Sequence, residues 1–398
     1  ANTYQYLWRW GSYFIPSGTI DGYDTRVMAM QKQAADREVT TDLTRMNTFL
    51  KAEIVKGLTL NADFTYAIQN MNSGSQDNSV YGINWSGKPV PSYIVTKGNS
   101  GIWRDFSKQN TWTANAYVNY TKTFAKKHNL NVMAGVNAEE EEYKYLYGTR
   151  NVMYDQEGYP ELNMAGKDGQ DLSWNHTSRA SAGYFGRINY DYKGIYLLEL
   201  NGRYDGSSRF RRGSRWQWSP SFSLGWNIAQ EKFWESLTDI ANTLKLRVSY
   251  GELGNQNTTA WYPTYRDMIL KSSNGTWLQD GVKPNTAEPG NLVSNSLTWE
   301  KVRTWDIGFD YGFLSNRLTG SFDYYIRYTD GMVGPAPELP SILGTSAPKT
   351  NNCNLRTNGW ELSIGWRDRL KNGFGYSANL TLSDAKTIVT SYPSNATN

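Results

Sequence analysis

From Ser214 to Gln230 the sequence runs SRWQWSPSFSLGWNIAQ. Trp216, Trp218, Pro220, Phe222, Leu224, Trp226 and Ile228 take every second position, with Gln217, Ser219, Ser221, Ser223, Gly225 and Asn227 between them. Strict period two is the pattern of a β-strand with one apolar and one polar face. It recurs along the chain. Twelve such segments are expected, at 40–54, 58–69, 111–123, 129–142, 179–192, 195–205, 216–228, 243–251, 298–313, 317–329, 353–368 and 374–385. In the second, Leu58, Leu60, Ala62, Phe64, Tyr66 and Ile68 oppose Thr59, Asn61, Asp63, Thr65 and Gln69. In the tenth, Leu318, Phe322, Tyr324, Ile326 and Tyr328 oppose Arg317, Thr319, Ser321, Asp323 and Arg327.

The connections narrow the fold further. Short links such as Val55–Gly57, Lys193–Gly194 and Leu314–Asn316 mostly alternate with long ones at 70–110, 143–178, 252–297 and 330–352. In an up-and-down meander this puts tight turns at one end of the sheet and long loops at the other. Outer-membrane barrels have that polarity, whereas Greek-key sandwiches break the sequence of ends. The polar faces are Ser, Thr, Asn and Gly with occasional charges, as a solvated lumen requires. Trp218 and Trp226 lie eight residues apart on one face. At ~3.4 Å per residue and a tilt of about 40° they differ in height by roughly 20 Å, close to an apolar band of about 25 Å flanked by aromatic girdles. Trp216, Trp218 and Trp226 are therefore expected at membrane interfaces, the first two outer and the third periplasmic. Pro220 lacks an N–H, so a bulge or local break is expected there. A soluble β-sandwich, propeller or solenoid is the competing architecture.

Composition excludes several classes. The chain has 41 Lys and Arg against 37 Asp and Glu, too balanced to imply nucleic acid. One cysteine, Cys353, rules out an internal disulfide framework, and His128 and His176 are the only histidines. No apolar run is long enough for a transmembrane helix, which says nothing against strands of ~10 residues. No signal peptide stands at Ala1, and the chain is expected to be a fragment.

Several segments resemble the SusC/RagA family of TonB-dependent outer-membrane transporters of Bacteroidetes. They are SAGYFGRINYDYKGIYLLELNGRYDGSSRF (Ser181–Phe210), LKLRVSYGELGNQN (Leu244–Asn257), LTWEKVRTWDIGFDYGFLSNRLTGSFDYYIRYTDGMV (Leu297–Val333) and NLRTNGWELSIGWR (Asn354–Arg367). The resemblance covers about Arg37 to Thr387. It implies an all-β, antiparallel transmembrane barrel of 22 strands around a plug, of which this chain would supply about twelve. Residues 1–398 would be a partial barrel domain, without the plug, the TonB box or the last strands. It further implies a SusD-like surface lipoprotein as a lid, oligosaccharide or peptide as substrate, and energy from TonB–ExbB–ExbD through the missing N-terminal part. Cys353 stands where a small residue is expected.

Candidate sites follow from residue type. Trp85, Tyr93, Trp103, Trp174, Trp261, Tyr262 and Trp277 fall in the long connections, where aromatic faces can stack on a ligand or fill a partner's pocket, or simply pack the loop. Arg209, Arg211, Arg212 and Arg215 in GSSRFRRGSR are candidates for lipopolysaccharide phosphate or a protein partner, since guanidinium binds phosphate bidentately; the bland reading is a solvated hairpin. Arg203 and Asp205 share the polar phase and could pair in the lumen. Glu139–Glu142 and Lys167–Asp171, with Asp168 and Asp171, are weak calcium candidates without the spaced ligand set of an EF-hand. No cofactor, resident metal or catalytic residue is expected. Active import is the leading function. A passive porin is the rival on fold, and a surface carbohydrate-binding or hydrolytic β-protein the rival on chemistry.

Overall fold

The computed structural model describes residues 19–20, 23–24, 37–77, 81–83, 91–93, 101–151, 153–154, 161–167, 169–256, 260–335 and 347–393, with positions 340, 342 and 345. Contacts divide the chain into two compact units. One holds residues 1–46, 65–112 and 141–178, and the other 47–64, 113–140 and 179–398.

Each of the twelve alternating segments is a strand. They are β1 (Glu38–Val55), β2 (Leu58–Asp77), β3 (Gly101–Phe124), β4 (His128–Asn151), β5 (Asp171–Tyr192) and β6 (Tyr196–Ser207), then β7 (Trp216–Asn227), β8 (Ala241–Asn255), β9 (Glu300–Phe313), β10 (Leu318–Gly334), β11 (Thr350–Arg369) and β12 (Gly375–Ser391). They form one twelve-stranded sheet whose spatial order is the sequence order. From β5 to β12 every pairing is antiparallel, in the register of a continuous meander. The short links turn through left-handed backbone. Lys193 and Gly194 have φ of 54° and 70°, the two positive values a type I′ hairpin needs to match strand twist. Leu314, Ser315 and Asn316 are all left-handed as well.

Four strands overrun the alternating segments by eight residues or more at their long-loop ends. β2 continues to Asp77 rather than 69, β3 starts at Gly101 rather than 111, β4 runs to Asn151 rather than 142, and β5 starts at Asp171 rather than 179. Alternation records a contrast between two environments. Where both faces are polar, as in EEEEYKYLYGTRN, the contrast vanishes but the ladder hydrogen bonds persist. Trp103 and Trp174, expected in loops, therefore lie on β3 and β5. So does His176, on β5, rather than in a loop.

The apolar face of β7 points out. Trp216, Trp218 and Trp226 are 39%, 53% and 36% exposed, while Gln217 and Ser219 on the opposite face are buried. Strand β9 alternates the same way: Lys301, Arg303, Trp305 and Ile307 are exposed, and Val302, Thr304 and Asp306 are half-buried. Through cross-strand register the exposed face continues over Tyr196, Leu198, Leu200 and Tyr204 of β6 and Leu246, Val248 and Tyr250 of β8. Rings pack along it: Tyr204 stacks on Trp216 at 5.0 Å and Tyr196 on Trp226 at 6.4 Å, and Tyr250 lies tilted against Trp305 at 4.7 Å. A soluble sheet would bury this face; here polar groups occupy the sheltered side.

At Pro220 the expectation of a bulge is corrected, and that of a break holds. Pairing with β6 runs through Gly202↔Pro220 without a shift. Pairing with β8 begins only at Ser221↔Gly251, so Trp216–Pro220 leave that ladder. The missing N–H faces the side where no ladder continues, so no bulge is needed. Gln217 instead donates to the Glu252 carboxylate, at 3.1 Å.

Conventional cores are small. In the first unit Ile102, Met153 and Ala165 pack with Leu162. In the second, Phe210, Leu297 and Trp299 pack with Val333. Cys353 is buried, and a Cβ on Gly334 would collide with its Sγ, so the larger side chain is accommodated by a glycine across the ladder.

Candidate functional site

The sheltered face of the second unit carries a series of arginine-centred ion pairs. Arg203 grips Asp205 with Nε at 3.1 Å and Nη2 at 2.7 Å and also donates to Asn137 Oδ1 at 3.2 Å. The pairing expected from their shared phase is thus present. Arg187 donates to Asn201 Oδ1 at 2.7 Å and lies 4.0 Å from Glu199. Arg247 spans β9 and β10, meeting Asp310 at 2.9 Å and Asp323 at 2.9 Å. These partners are up to 76 residues apart. Strand register places them on one face; local sequence holds no trace of it. Half-exposed pairs of this kind add modestly to stability, about 0–1 kcal/mol each. Their larger effect is to fix charged, hydrogen-bonding groups along a wetted wall.

At the long-loop end this wall opens into a cleft of about 220 Å³, lined by Glu139, Arg179, Ala180, Ser181, Ser207, Arg209, Asn255 and Gln256. Its geometry depends on the loop after β6. Phe210 is buried against Trp299, with ring centroids 5.5 Å apart, and pins the loop down. Arg209, 8% exposed, donates Nη1 to the Gln256 carbonyl at 3.2 Å, and its own carbonyl accepts from Thr264 Oγ1 at 3.3 Å. Arg179 lies over the Trp261 ring at 5.3 Å. The cleft therefore offers two guanidinium groups, one carboxylate, two hydroxyls and two amides. Glu139 is the one carboxylate among the described residues of the lining, and glycoside hydrolysis uses a pair. A second hollow of about 310 Å³ lies toward the short turns, where Asn129, Asn131, Asn189, Asp191 and Glu199 contribute to its lining.

The residues singled out from sequence are only partly gathered. Arg209 lines the cleft. Arg211 turns Nε and Nη2 to the Thr264 carbonyl, at 3.2 and 3.0 Å, and Arg215 Nε reaches the Phe210 carbonyl at 3.4 Å. Arg212 is exposed. Arg209, Arg211 and Arg215 are thus tied to loop carbonyls, while Arg211 and Arg212 stay exposed. Among the aromatics, Trp103 sits on β3, between Arg37 at 5.3 Å and Tyr147 at 6.2 Å. Trp174 is exposed on β5, Trp261 is beside the cleft under Arg179, and Tyr262 and Trp277 are exposed. Trp85 and the Tyr93 side chain lie outside the described residues. Arg179, Asn255 and Gln256 escaped the sequence reading, and Glu139 enters it only as a weak calcium candidate. Each is an ordinary strand or strand-end residue, and only register brings them together.

Of the acidic stretches, Glu142 is the fifteenth residue of β4, beyond the ~10 needed to cross a bilayer. It accepts from Lys144 at 2.9 Å, His176 at 2.8 Å and Asn110 at 3.1 Å. Those bonds, Lys144 first, hold its carboxyl down at about 2. Glu142 is thus satisfied by protein donors. Asp171 bonds the Leu172 N–H, and Asp168 lies outside the described residues. Among the described residues no group of three or more His, Cys, Asp or Glu side chains is placed to hold a metal.

Comparison with known proteins gives a consistent picture. The family model described as "TonB dependent receptor-like, beta-barrel" matches residues 1–398. TonB-dependent receptor P3 of Formosa agariphila is 27% identical over 92% of this chain and 34% of its own length. TonB-dependent receptor SusC of Bacteroides thetaiotaomicron is 30% identical over 67% of this chain and 26% of its own. Both are receptors rather than enzymes. The chain thus spans about a third or less of these relatives. The solved structure of the RagAB peptide transporter superposes with a TM-score of 0.80 at 19% identity, over 96% of this chain and 40% of that one. The copper transporter OprC reaches a TM-score of 0.51 at 13% identity. These last two likenesses establish the fold alone.

Proposed function

We propose a function on the ground that the chain belongs to the TonB-dependent receptor-like β-barrel family, whose members are outer-membrane proteins. In our reading it is part of the barrel wall of a TonB-dependent importer of oligosaccharides or peptides. The observation that carries this reading is the inversion of the sheet. Trp216, Trp218, Trp226 and their stacked tyrosines face out, where lipid would cover them, and the arginine–carboxylate pairs face the sheltered side. Trp216 and Trp218 form part of an outer aromatic girdle and Trp226 part of a periplasmic one, consistent with the tight turn and the long loop beside them.

The cleft at Arg179, Arg209, Glu139 and Asn255 is the substrate contact in this reading. At about 220 Å³ it is below the ~300 Å³ that encloses a whole drug-sized ligand. It suits one unit or one end of a longer chain, held by charge-assisted hydrogen bonds. The exposed loop aromatics Tyr262 and Trp277, and Trp174 on β5, would meet substrate or a SusD-like lipoprotein cap. TonB–ExbB–ExbD would supply the energy through parts of the receptor outside this chain. Family membership favours this over a passive porin.

The test uses the full-length receptor in its own cell. Growth of a deletion strain on defined glycans and on defined peptides identifies the substrate class. Complementation with R179Q, which removes one guanidinium, then reads the cleft. Uptake reduced several-fold at an unchanged receptor level supports the assignment. Uptake that is unchanged, or that persists without TonB, overturns the site or the mechanism respectively.

A further inference from the structure

Arg209, Arg211 and Arg215 spend their guanidinium groups on loop carbonyls and the cleft, yet another cationic row stands on the outward face of the sheet. Strand register aligns outward-facing residues just beyond the outer aromatic row. Lys301 and Arg303 on β9 come first, then Tyr328 and Asp330 on β10, Arg356 and Asn358 on β11, and Lys386 on β12. Below them on the same strands lie Trp305, Tyr324 and Trp360. Arg303 and Asn358 stand two residues beyond the aromatic of their own strand, and Lys301 and Arg356 four, which at ~3.4 Å per residue and a tilt of about 40° is roughly 5 to 10 Å higher. That is headgroup height if the aromatic row marks the interface.

The row is unequally compensated. Arg303 is bound to Asp330 through Nε, at 2.8 Å, and Nη2, and its guanidinium covers the Tyr328 ring at 5.6 Å. Lys301 lies 3.8 Å from Glu252. Asp330 in the row and Glu252 on β8 are thereby engaged. Arg356 and Lys386 remain, diagonal neighbours across β11 and β12, which puts their Cβ atoms at about 7 Å. The next acid on this face, Asp384, sits one step lower opposite Trp360, with Oδ1 taken by the Ala385 N–H. The shielded Arg356 Nε has no acceptor, and the shielded Asn358 Oδ1, two residues away on the same face, has no donor. Two adjacent like charges, an orphaned donor and an orphaned acceptor form a set that is completed by one molecule bearing both an anion and a hydroxyl.

We infer that Arg356 and Lys386, with Asn358 and Tyr328 beside them, bind the phosphorylated sugar headgroup of an outer-leaflet glycolipid, lipid A in chemical class. Guanidinium and ammonium take the phosphate, and the amide oxygen takes a sugar hydroxyl. The acyl chains then run down over Trp360, Ile364 and Leu362, which share the outward face of β11. A phospholipid headgroup would satisfy the cations without placing a ring hydroxyl at Asn358. This assigns the lipid-phosphate role to β11 and β12 and leaves Arg209 to the cleft.

The experiment titrates the full-length receptor in detergent with monophosphoryl lipid A, with dephosphorylated lipid A and with phosphatidylethanolamine, and counts bound lipid by native mass spectrometry. The wild type is expected to prefer the phosphorylated glycolipid at least fivefold over both other lipids. R356Q/K386Q should lose that preference, while K371Q, in the short turn at the other end, should keep it. Heat-modifiable migration on gels checks that each barrel is folded. If the double variant does not fold, K386Q alone serves, since Lys386 is exposed, and it should reduce the preference by severalfold. A wild type without preference, equal preference for phosphatidylethanolamine, or a folded R356Q/K386Q that binds as before overturns the site.

Discussion

Replacing Leu200 by arginine tests the inverted sheet most directly. Leu200 is 41% exposed, on the outward face of β6, and pairs with Ile188 and Phe222. It stands four residues from Tyr196 and four from Tyr204, so each aromatic row is about 10 Å away along the barrel axis. If that face met water, L200R would lose only the packing of a half-buried leucine, about 1 kcal/mol, part of it recovered by the arginine stem. If it meets lipid, the charge lies near the bilayer midplane and the cost is about 2–4 kcal/mol. The control is S223R. Ser223 lies on the sheltered face opposite Glu199 and Ser249, where an added guanidinium gains a carboxylate neighbour. The full-length receptor is folded into phosphatidylcholine vesicles and unfolded in guanidinium chloride, with tryptophan fluorescence as readout. L200R is expected to be less stable than S223R by at least about 2 kcal/mol, a factor of roughly 30 in the folding equilibrium. Equal stabilities, or a less stable S223R, would refute the assignment of faces.

Four further outcomes follow from the same geometry. R203Q should lower stability by about 0.5–1 kcal/mol, since its bidentate partner Asp205 is only partly sheltered, and a double-mutant cycle with D205N should recover most of that as coupling. G206A should displace Trp216, whose ring lies 2.8 Å from the Cβ position, at about 1–3 kcal/mol with a shifted emission maximum; an unchanged spectrum would show that the strand yields instead. Phe210→Ala should loosen the cleft loop and cost about 3–5 kcal/mol, read by faster hydrogen exchange at Ser207–Arg215. Glu142 has a folded-state pKa depressed to about 2, so its contribution is present above the unfolded value and fades as the pH falls through about 2. E142Q should therefore remove part of the acid dependence of stability between about pH 4.5 and 2, and an identical pH profile would contradict the pairing of Glu142 with Lys144 and His176.

What the sequence determined by itself was the strand inventory and the direction of its faces. A strand with two environments must alternate, and the order of short and long links carries topology without any distance. Each of the twelve segments became a strand of one sheet, and Arg203 and Asp205 paired as their phase required. Alternation ceased to help where both faces are polar, which is why Trp103 and Trp174 were placed in loops although they sit on β3 and β5. Pro220 was read with one neighbour in mind, whereas a strand has two, and only the fold shows which ladder stops there. The cleft was illegible for the same reason. Arg179, Arg209 and Asn255 come from β5, the loop after β6 and β8, and Arg356 meets Lys386 only across a ladder. Period two states which side of a strand a residue occupies. Which residues share that side across strands is fixed by register, a long-range quantity that hydrogen bonding between strands alone decides.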